Sequence, residues 1–317
     1  MQATVYKSTG SWYSVKNTEG KMLQARIKGK FKIEGITSTK PMAVGDTVDL
    51  SPDNEHENTF VISHIYDRRN YINRQSPHRR HQHHIIASNL DQSILFATIK
   101  SPRTSQGFID RFLITSEAFH IPGIIIFNKA DLYEAKERKQ YEEWADMYRK
   151  AGYPVFLISM ETGEGVPDVK AALKDKTTLI SGHSGVGKSS FINAVLPDLN
   201  LRTEEVSGWS GKGMHTTTFA EMFDLPFGGS IIDTPGVKEF GLVDIPRQEL
   251  SHYFPEMKAL IQECQFNNCL HINEPGCAIK KAVNDNRIHM LRYISYCTIL
   301  ESIDDLGQKS KVKSKNR

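Results

Sequence analysis

The residues with the clearest chemical potential form a glycine-rich loop in the middle of the chain. The pattern GxxxxGKS spans 182–189, between an apolar strand-like run and a helix-like run. Glycines let backbone N–H groups turn inward around phosphates, and the helix N-terminus adds its positive end. We expect Lys188 to neutralise the β and γ phosphates during catalysis and Ser189 to ligate Mg²⁺. The predicted nucleotide-binding residues of this loop are Gly182, His183, Ser184, Gly185, Val186, Gly187, Lys188, Ser189 and Ser190.

A second motif selects the base. Asn128, Lys129, Ala130 and Asp131 follow an apolar run, and all four are predicted to lie at the nucleotide. An aspartate carboxylate accepts hydrogen bonds from both N1–H and the 2-amino group of guanine, whereas adenine lacks this donor pair and is rejected. Asn128 is expected to hold the loop and approach guanine N7, and the Lys129 stem to cover the ring. The two motifs together predict binding of GTP and GDP.

Three weaker signals complete the predicted site. Asp233 and Gly236 belong to the sequence DTPG, where Asp233 can reach Mg²⁺ through a water and the Gly236 N–H can meet the γ-phosphate. Thr217 lies among three threonines in a glycine-rich stretch and is expected to close on Mg²⁺ as a switch residue. Ser159, or Met160 after it, can offer a backbone N–H to guanine O6.

The residue after Gly236 bears on the mechanism. Many GTPases place a water-orienting glutamine there, but this chain has Val237, which cannot position a nucleophile. We therefore expect slow intrinsic hydrolysis that needs outside help. His215, beside the switch threonines, is the candidate catalytic residue, and a solvent-exposed loop histidine is the alternative.

The order of these motifs is circularly permuted. In most GTPases the phosphate loop comes first, whereas here Asn128 to Asp131 and Ser159 precede it. Because the loops meet at one edge of the sheet, moving the chain ends need not move the site. The switch that begins at Asp233 becomes the exit into the C-terminal region, so nucleotide state could pass directly to that region.

That region carries a metal-ligand pattern. Cys264, Cys269, His271 and Cys277 form a closely spaced Cys₃His set, suited to tetrahedral Zn²⁺. Four protein ligands leave no position for substrate, so we predict one structural zinc ion per chain. Unpaired core cysteines beside a chance histidine are the alternative.

The elements around these motifs predict a multidomain α/β protein. Short strands over 1–66 indicate a β-barrel, for which an OB-fold and an SH3-like barrel fit nearly equally well. Strands that alternate with helices over 88–243 predict a P-loop domain with a parallel sheet. We expect 67–87 to be a basic linker, 244–301 a helical zinc-binding domain and 302–317 a basic, disordered tail.

Composition limits the functional classes. The 317 residues are 39% hydrophobic and 24% charged, with no apolar run of bilayer length and no signal-peptide pattern, so we expect a cytoplasmic protein. The net charge is only +3, but basic residues cluster over 68–84 and 309–317. Attraction to RNA and ordinary solvated segments explain these clusters about equally well.

On these residues the chain resembles the bacterial small-ribosomal-subunit-dependent GTPases of the circularly permuted class. The resemblance extends to Val44-Gly45-Asp46, the 89–92 sequence NLDQ, the 215–218 sequence HTTT and the 274–277 sequence EPGC. It implies an OB-fold N-terminal domain, a permuted GTPase domain and a C-terminal zinc domain. It also implies late maturation of the small ribosomal subunit, with rRNA contacts and subunit-stimulated hydrolysis. We expect a monomer with no membrane partner.

Other functions remain open from the residues alone. A GTP-dependent RNA-binding adaptor would bind nucleotide with hydrolysis incidental. A nucleic-acid chaperone would act through its barrel and zinc module, with the GTPase domain as regulator. Asn128 and Asp131 disfavour an ATPase or small-molecule kinase.

Overall fold

Alternation of inward apolar and outward polar residues builds the N-terminal barrel. The computed structural model describes residues 1–27, 42–53, 58–75, 83–199, 220–233 and 245–314. The barrel strands are β1 (Gln2–Ser8), β2 (Trp12–Asn17), β3 (Met22–Ile27), β4 (Thr47–Pro52) and β5 (Thr59–Ile65). Their pairing order 1-2-3-5-4 closes through a β1–β4 contact, and β3 and β5 run parallel. This five-stranded Greek-key closure identifies the barrel as an OB-fold and excludes the SH3-like alternative.

The predicted linker 67–87 contains a hairpin, which corrects that prediction. Strands β6 (Tyr71–Gln75) and β7 (His83–Ser88) pair antiparallel. Ile72 and Ala87 are register partners, both fully buried, and they contribute to the large core of the next domain. The many basic and histidine residues hide this short alternation in the sequence. The hairpin is therefore a packed element.

A parallel sheet forms the middle of the chain, as predicted. Its strands are β8 (Gln92–Ala97), β9 (Gly123–Phe127), β10 (Val155–Leu157), β11 (Thr177–Gly182), β12 (Glu221–Asp224) and β13 (Ser230–Asp233). The spatial order is β10-β9-β8-β11-β13-β12, with only β12 antiparallel to its neighbour in this set. The helices are α1 (Gln106–Ala118), α2 (Ala135–Lys150), α3 (Val166–Leu173) and α4 (Lys188–Val195). Strand β12 also pairs with β1, which joins this sheet to the barrel.

The C-terminal region is helical, and its last helix is longer than expected. Helices α5 (Pro255–Lys258), α6 (Ala278–Asn284) and α7 (Met290–Ser314) follow a 3₁₀ segment at Arg247–Tyr253. Helix α7 runs through most of the predicted disordered tail 302–317, which corrects that prediction. None of the helices in the described part of the chain combines the length and apolarity that crossing a bilayer requires.

A buried ion network fastens this region onto α1. Arg292 of α7 is about 1% exposed, and it donates to Asp110 of α1 and, over 2.6 Å, to Glu256. Tyr148 of α2 donates its hydroxyl to the same Asp110 carboxylate over 3.0 Å. The guanidinium also lies over the Phe254 ring, 4.5 Å from its centroid. The network thus links α1 and α2 of the parallel-sheet domain to the C-terminal helices.

Candidate functional site

The phosphate-binding loop lies between β11 and α4 in the geometry the motif requires. Gly182 ends β11 with a φ of +144°, and a Cβ there would lie 2.4 Å from the Phe96 carbonyl oxygen. Gly187 precedes α4 with a φ of +94°, a left-handed conformation that side chains disfavour. Ser184 and Gly185 form the turn, Val186 is fully buried, and Ser190 lies in α4. Both glycines are therefore required where the loop bends.

Lys188 is held inside the curl of this loop. Its Nζ donates to the carbonyl oxygens of Gly182 over 2.6 Å and His183 over 2.7 Å. Burial lowers the pKa of Lys188, and the nearby Asp233 carboxylate opposes that shift. The ammonium thus lies where phosphates would approach the loop.

A contact that sequence reasoning missed supports the same loop. The His183 ring stacks on Phe108 of α1, with centroids 3.7 Å apart and planes inclined by 30°. Burial, with Lys188 second, lowers the pKa of His183. Nothing in the local sequence pairs two residues 75 positions apart, so only the fold reveals this stack.

The base-selecting motif and the phosphate loop touch through Asn128. Its side-chain amide donates to the Val186 carbonyl oxygen over 2.8 Å, and the residue is about 1% exposed. A Cβ at Gly187 would come within 2.1 Å of this amide nitrogen, so glycine is needed for the approach. The Tyr133 hydroxyl, also missed in the sequence, donates to the Asn128 carbonyl oxygen over 2.8 Å. Asn128 therefore holds the two loops together.

The remaining residues of this motif differ in their exposure. Lys129 has a left-handed backbone with a φ of +65°, and its Nζ donates to the Ser101 carbonyl oxygen over 2.5 Å. Ala130 is buried, and its N–H donates to the Ile158 carbonyl oxygen over 3.1 Å. Asp131 is exposed at the start of a 3₁₀ turn. Its carboxylate is thus accessible to a base.

Ser159 contributes differently from the prediction. Its backbone N–H donates to the Glu164 carbonyl oxygen over 3.0 Å, because the loop turns back on itself there. Its hydroxyl donates to Asp131 Oδ1 over 2.5 Å and accepts from the Thr162 N–H over 3.2 Å. Ser159 therefore holds the Asp131 carboxylate, and a contact of the Met160 N–H with guanine O6 stays a prediction.

The predicted magnesium residues that the structure describes lie close by. Ser189 is the second residue of α4. Asp233 ends β13, where it is the register partner of Ile180 on the phosphate-loop strand. His215, Thr217 and Gly236 fall outside the described residues, so their roles stay predictions. The carboxyl ends of β8, β9, β10, β11 and β13 thus share one sheet edge, which is where open α/β sheets bind ligands.

The Cys₃His set converges in space. The ligand atoms of Cys264, Cys269, His271 and Cys277 all lie within 4.8 Å of one another. His271 Nδ1 is 3.6 Å from Cys264 Sγ and 3.5 Å from Cys277 Sγ, so Nδ1 is the nitrogen that faces the thiols. Burial, with the neighbouring thiols, raises the pKa of Cys269 to about 12. A divalent cation would stabilise the thiolates, so this donor set fits zinc.

A carboxylate shapes the loop that carries these ligands. Glu274 accepts backbone N–H donations from Leu270 over 2.8 Å, Ile272 over 2.9 Å and Asn273 over 3.0 Å. These bonds offset its own burial and lower the pKa of Glu274. The Tyr293 hydroxyl donates to the His271 carbonyl oxygen over 2.7 Å, which ties the loop to α7. The ligand loop is thus held independently of the ligands.

Comparison with known proteins agrees with this architecture. The RsgA GTPase family model matches residues 65–243, and the RsgA N-terminal domain model matches residues 2–60. A protein of Christiangramia forsetii named small ribosomal subunit biogenesis GTPase RsgA is 51% identical over 306 residues, covering 96% of this chain and 97% of the relative. A Bacteroides fragilis protein of the same name is 48% identical, covering 96% and 98%.

Solved structures show the same fold. YjeQ from Thermotoga maritima superposes with a TM-score of 0.77 at 32% identity, over 95% of this chain and 97% of that one. YloQ, a circularly permuted GTPase, superposes with a TM-score of 0.75 at 31% identity, over 96% of this chain and 95% of that one. The resemblance stated from the motifs and the prediction of GTP hydrolysis are confirmed. The chain therefore belongs to the RsgA GTPase family, whose GTP-hydrolysing domain it carries between an OB-fold barrel and a helical Cys₃His region.

Proposed function

We propose that this chain binds the small ribosomal subunit and assists its late maturation, hydrolysing GTP to GDP and phosphate when the subunit stimulates it. The observation that carries this proposal is the end-to-end relationship with proteins named for small ribosomal subunit biogenesis, at 51% identity over 96% of this chain. Because the match covers barrel, GTPase domain and Cys₃His region together, it supports a shared task for all three. We further propose that the protein acts in the cytoplasm and as a monomer.

Nucleotide binding is assigned to the shared sheet edge. Asp131, oriented by Ser159, pairs with guanine, and the Lys129 stem covers the ring. The 182–190 loop and Lys188 hold the phosphates. Ser189 and Thr217 would hold Mg²⁺, with Asp233 acting through a water, and the ion would supply positive charge at the β and γ phosphates.

Stimulation of GTP hydrolysis by a partner is expected because the switch lacks a residue that orients the attacking water. Val237 stands where other GTPases place a water-orienting glutamine. His215 takes that role once the subunit fixes the switch segment. Intrinsic turnover is therefore slow, and the partner supplies the missing order.

The rRNA contacts are assigned to the barrel and to part of the basic segment. Arg68 forms an ion pair with Asp46 at 2.6 Å, and Arg69 forms an ion pair with Asp91 at 2.8 Å. Both arginines therefore stabilise the fold. Asp46 is fully buried and also accepts from the Ser88 hydroxyl, which ties barrel to hairpin. The phosphate contacts are assigned to the basic residues over 74–84.

Co-sedimentation tests the binding half of this proposal. With a non-hydrolysable GTP analogue, the protein should pellet with purified small subunits, and with GDP it should stay in the supernatant. Binding should weaken as salt rises, because phosphate contacts release counterions. Purified large subunits serve as the control particle. Equal pelleting in both nucleotide states would contradict the proposal.

We also propose one structural Zn²⁺ per chain. Metal analysis of the purified protein should find about one zinc ion per chain. Cys277→Ser should lose it and destabilise the C-terminal helices, since the ligand is buried beside Cys269. Cys297→Ser is the matched control, because Cys297 lies outside the ligand set. Folded protein without metal, with all four thiols freely titratable, would refute the assignment.

A further inference from the structure

Three charged residues form a row across the seam between the barrel and the GTPase sheet. The seam is the pairing of β1 with β12, in which Lys7 and Glu221 are register partners. On the other side of β12, Glu221 is the register partner of Asp233 at the end of β13. Lys7, Glu221 and Asp233 therefore occupy adjacent positions on three neighbouring strands.

Glu221 and Asp233 share one face of the sheet. Directly opposed residues of antiparallel strands point the same way, with Cβ atoms about 5 Å apart. Phe223 and Ile231, two residues along each strand, pack in the core that contains Phe191 of α4. The two carboxylates thus lie on the face that carries the phosphate-loop helix. Two like charges placed so repel each other unless a counter-charge is present.

Lys7 supplies that counter-charge from the barrel. Its Nζ lies 2.6 Å from Glu221 Oε2, with the Glu221 side chain about three-quarters buried. Lys188 lies on the other side of Asp233, near enough for the two charges to influence each other. The balance of charge around Asp233 is therefore set partly by a residue of the OB-fold.

We propose that Lys7 is a positioning residue of the GTPase site: by holding and neutralising Glu221, it limits the negative potential around Asp233. The inference rests on the proposed role of Asp233 toward Mg²⁺. A more negative site attracts a divalent cation more strongly and repels the phosphates of a nucleotide. Lys7 thus strengthens nucleotide binding at the expense of Mg²⁺ binding. In this way a residue of the barrel affects the neighbouring GTPase site.

The test is a pair of binding measurements on Lys7→Met in the full chain. With EDTA present, the affinity for a fluorescent GDP should fall roughly two- to five-fold, as expected for a screened charge about 10 Å away. The Mg²⁺ concentration that half-saturates the GDP complex should fall by a similar factor. General misfolding weakens both kinds of binding, so opposite directions identify the charge effect.

Matched variants separate charge from seam stability. Glu221→Gln should shift both constants in the opposite direction, and K7M/E221Q should return near wild type. If K7M fails to fold, E221Q alone still tests the inference. Lys16→Met removes the 2.5 Å ion pair with Asp224. Asp224 lies on the same seam but on the opposite sheet face from Glu221, so K16M should leave both constants unchanged.

The outcomes separate this inference from the assignment beneath it. K7M constants equal to wild type, or K16M effects equal to those of K7M, would overturn the role of Lys7. Asp233→Asn is the reference, and it should weaken Mg²⁺ binding strongly. If D233N leaves Mg²⁺ binding unchanged, the assignment of Asp233 to the magnesium site is wrong instead.

Discussion

Asp131→Asn is expected to exchange the base that the protein binds, from guanine to xanthine. Hydrogen bonds to a charged group contribute about 1.5–3 kcal/mol each. The variant keeps only a neutral bond to guanine N1–H and sets its amide NH₂ against the 2-amino group, so GTP affinity should fall about 10²–10⁴-fold. Asparagine accepts from xanthine N1–H and donates to the 2-oxo group. The affinity for xanthosine triphosphate should therefore rise by a factor similar to the one by which the GTP affinity falls. The Ser159 hydroxyl, 2.5 Å from Asp131 Oδ1, holds the side chain for either pairing.

Binding of the two triphosphates, measured by competition with a fluorescent analogue, checks this exchange. Asp175→Asn is the matched control, since Asp175 is an exposed aspartate in the turn between α3 and β11, at the opposite edge of the sheet. It should bind GTP as the wild type does. Unchanged GTP affinity in D131N would show that another residue recognises the base.

Base selection illustrates what the sequence could predict. The motifs at 128–131 and 182–189 have fixed spacing because each works within one loop, so their chemistry can be recognised without a structure. The contact between them cannot be recognised this way. Asn128 and Val186 lie 58 residues apart, and only the sheet brings them to 2.8 Å. The Ser159 hydroxyl was missed for a similar reason, because loop closure by Glu164 decides which Ser159 group is available.

The fold shows the same division. Alternating strands and helices predicted the parallel sheet, and short alternating strands predicted a barrel, but only the β3–β5 and β1–β4 pairings distinguish an OB-fold. The hairpin at 71–88 was missed because arginines and histidines outnumber its few apolar residues over 68–84. The extension of α7 beyond residue 301 was missed because a lysine-rich end looks like a solvated tail. In both places the prediction followed the local composition, whereas packing against distant residues determines the structure.

The second large effect is expected from Arg292→Met. Removing one partner of a buried ion pair leaves the other charge uncompensated, which costs about 3–5 kcal/mol. Here the change would strand Asp110, which is fully buried, and deprive Glu256 of its partner. Methionine keeps most of the side-chain volume, so the loss is chiefly electrostatic. The free energy of unfolding from urea denaturation should fall by that amount.

Arg287→Met is the control for loss of one positive charge, because Arg287 is exposed just before α7. It should change the free energy of unfolding by less than about 0.5 kcal/mol. The double variant D110L/R292M should cost less than the sum of its two single changes, since it leaves no charge stranded at 110. Stability of R292M equal to that of R287M would mean that the network does not fasten the C-terminal helices.

The central claim is that the small ribosomal subunit activates GTP hydrolysis by this chain, and turnover measured with and without purified subunits tests it most directly. Saturating small subunits should raise the rate by about 10³-fold or more, as activators acting in trans do. D131N supplied with xanthosine triphosphate should be stimulated equally, which excludes contaminating GTPases as the source. Equal turnover with and without subunits, for both wild type with GTP and D131N with its own nucleotide, would contradict the account.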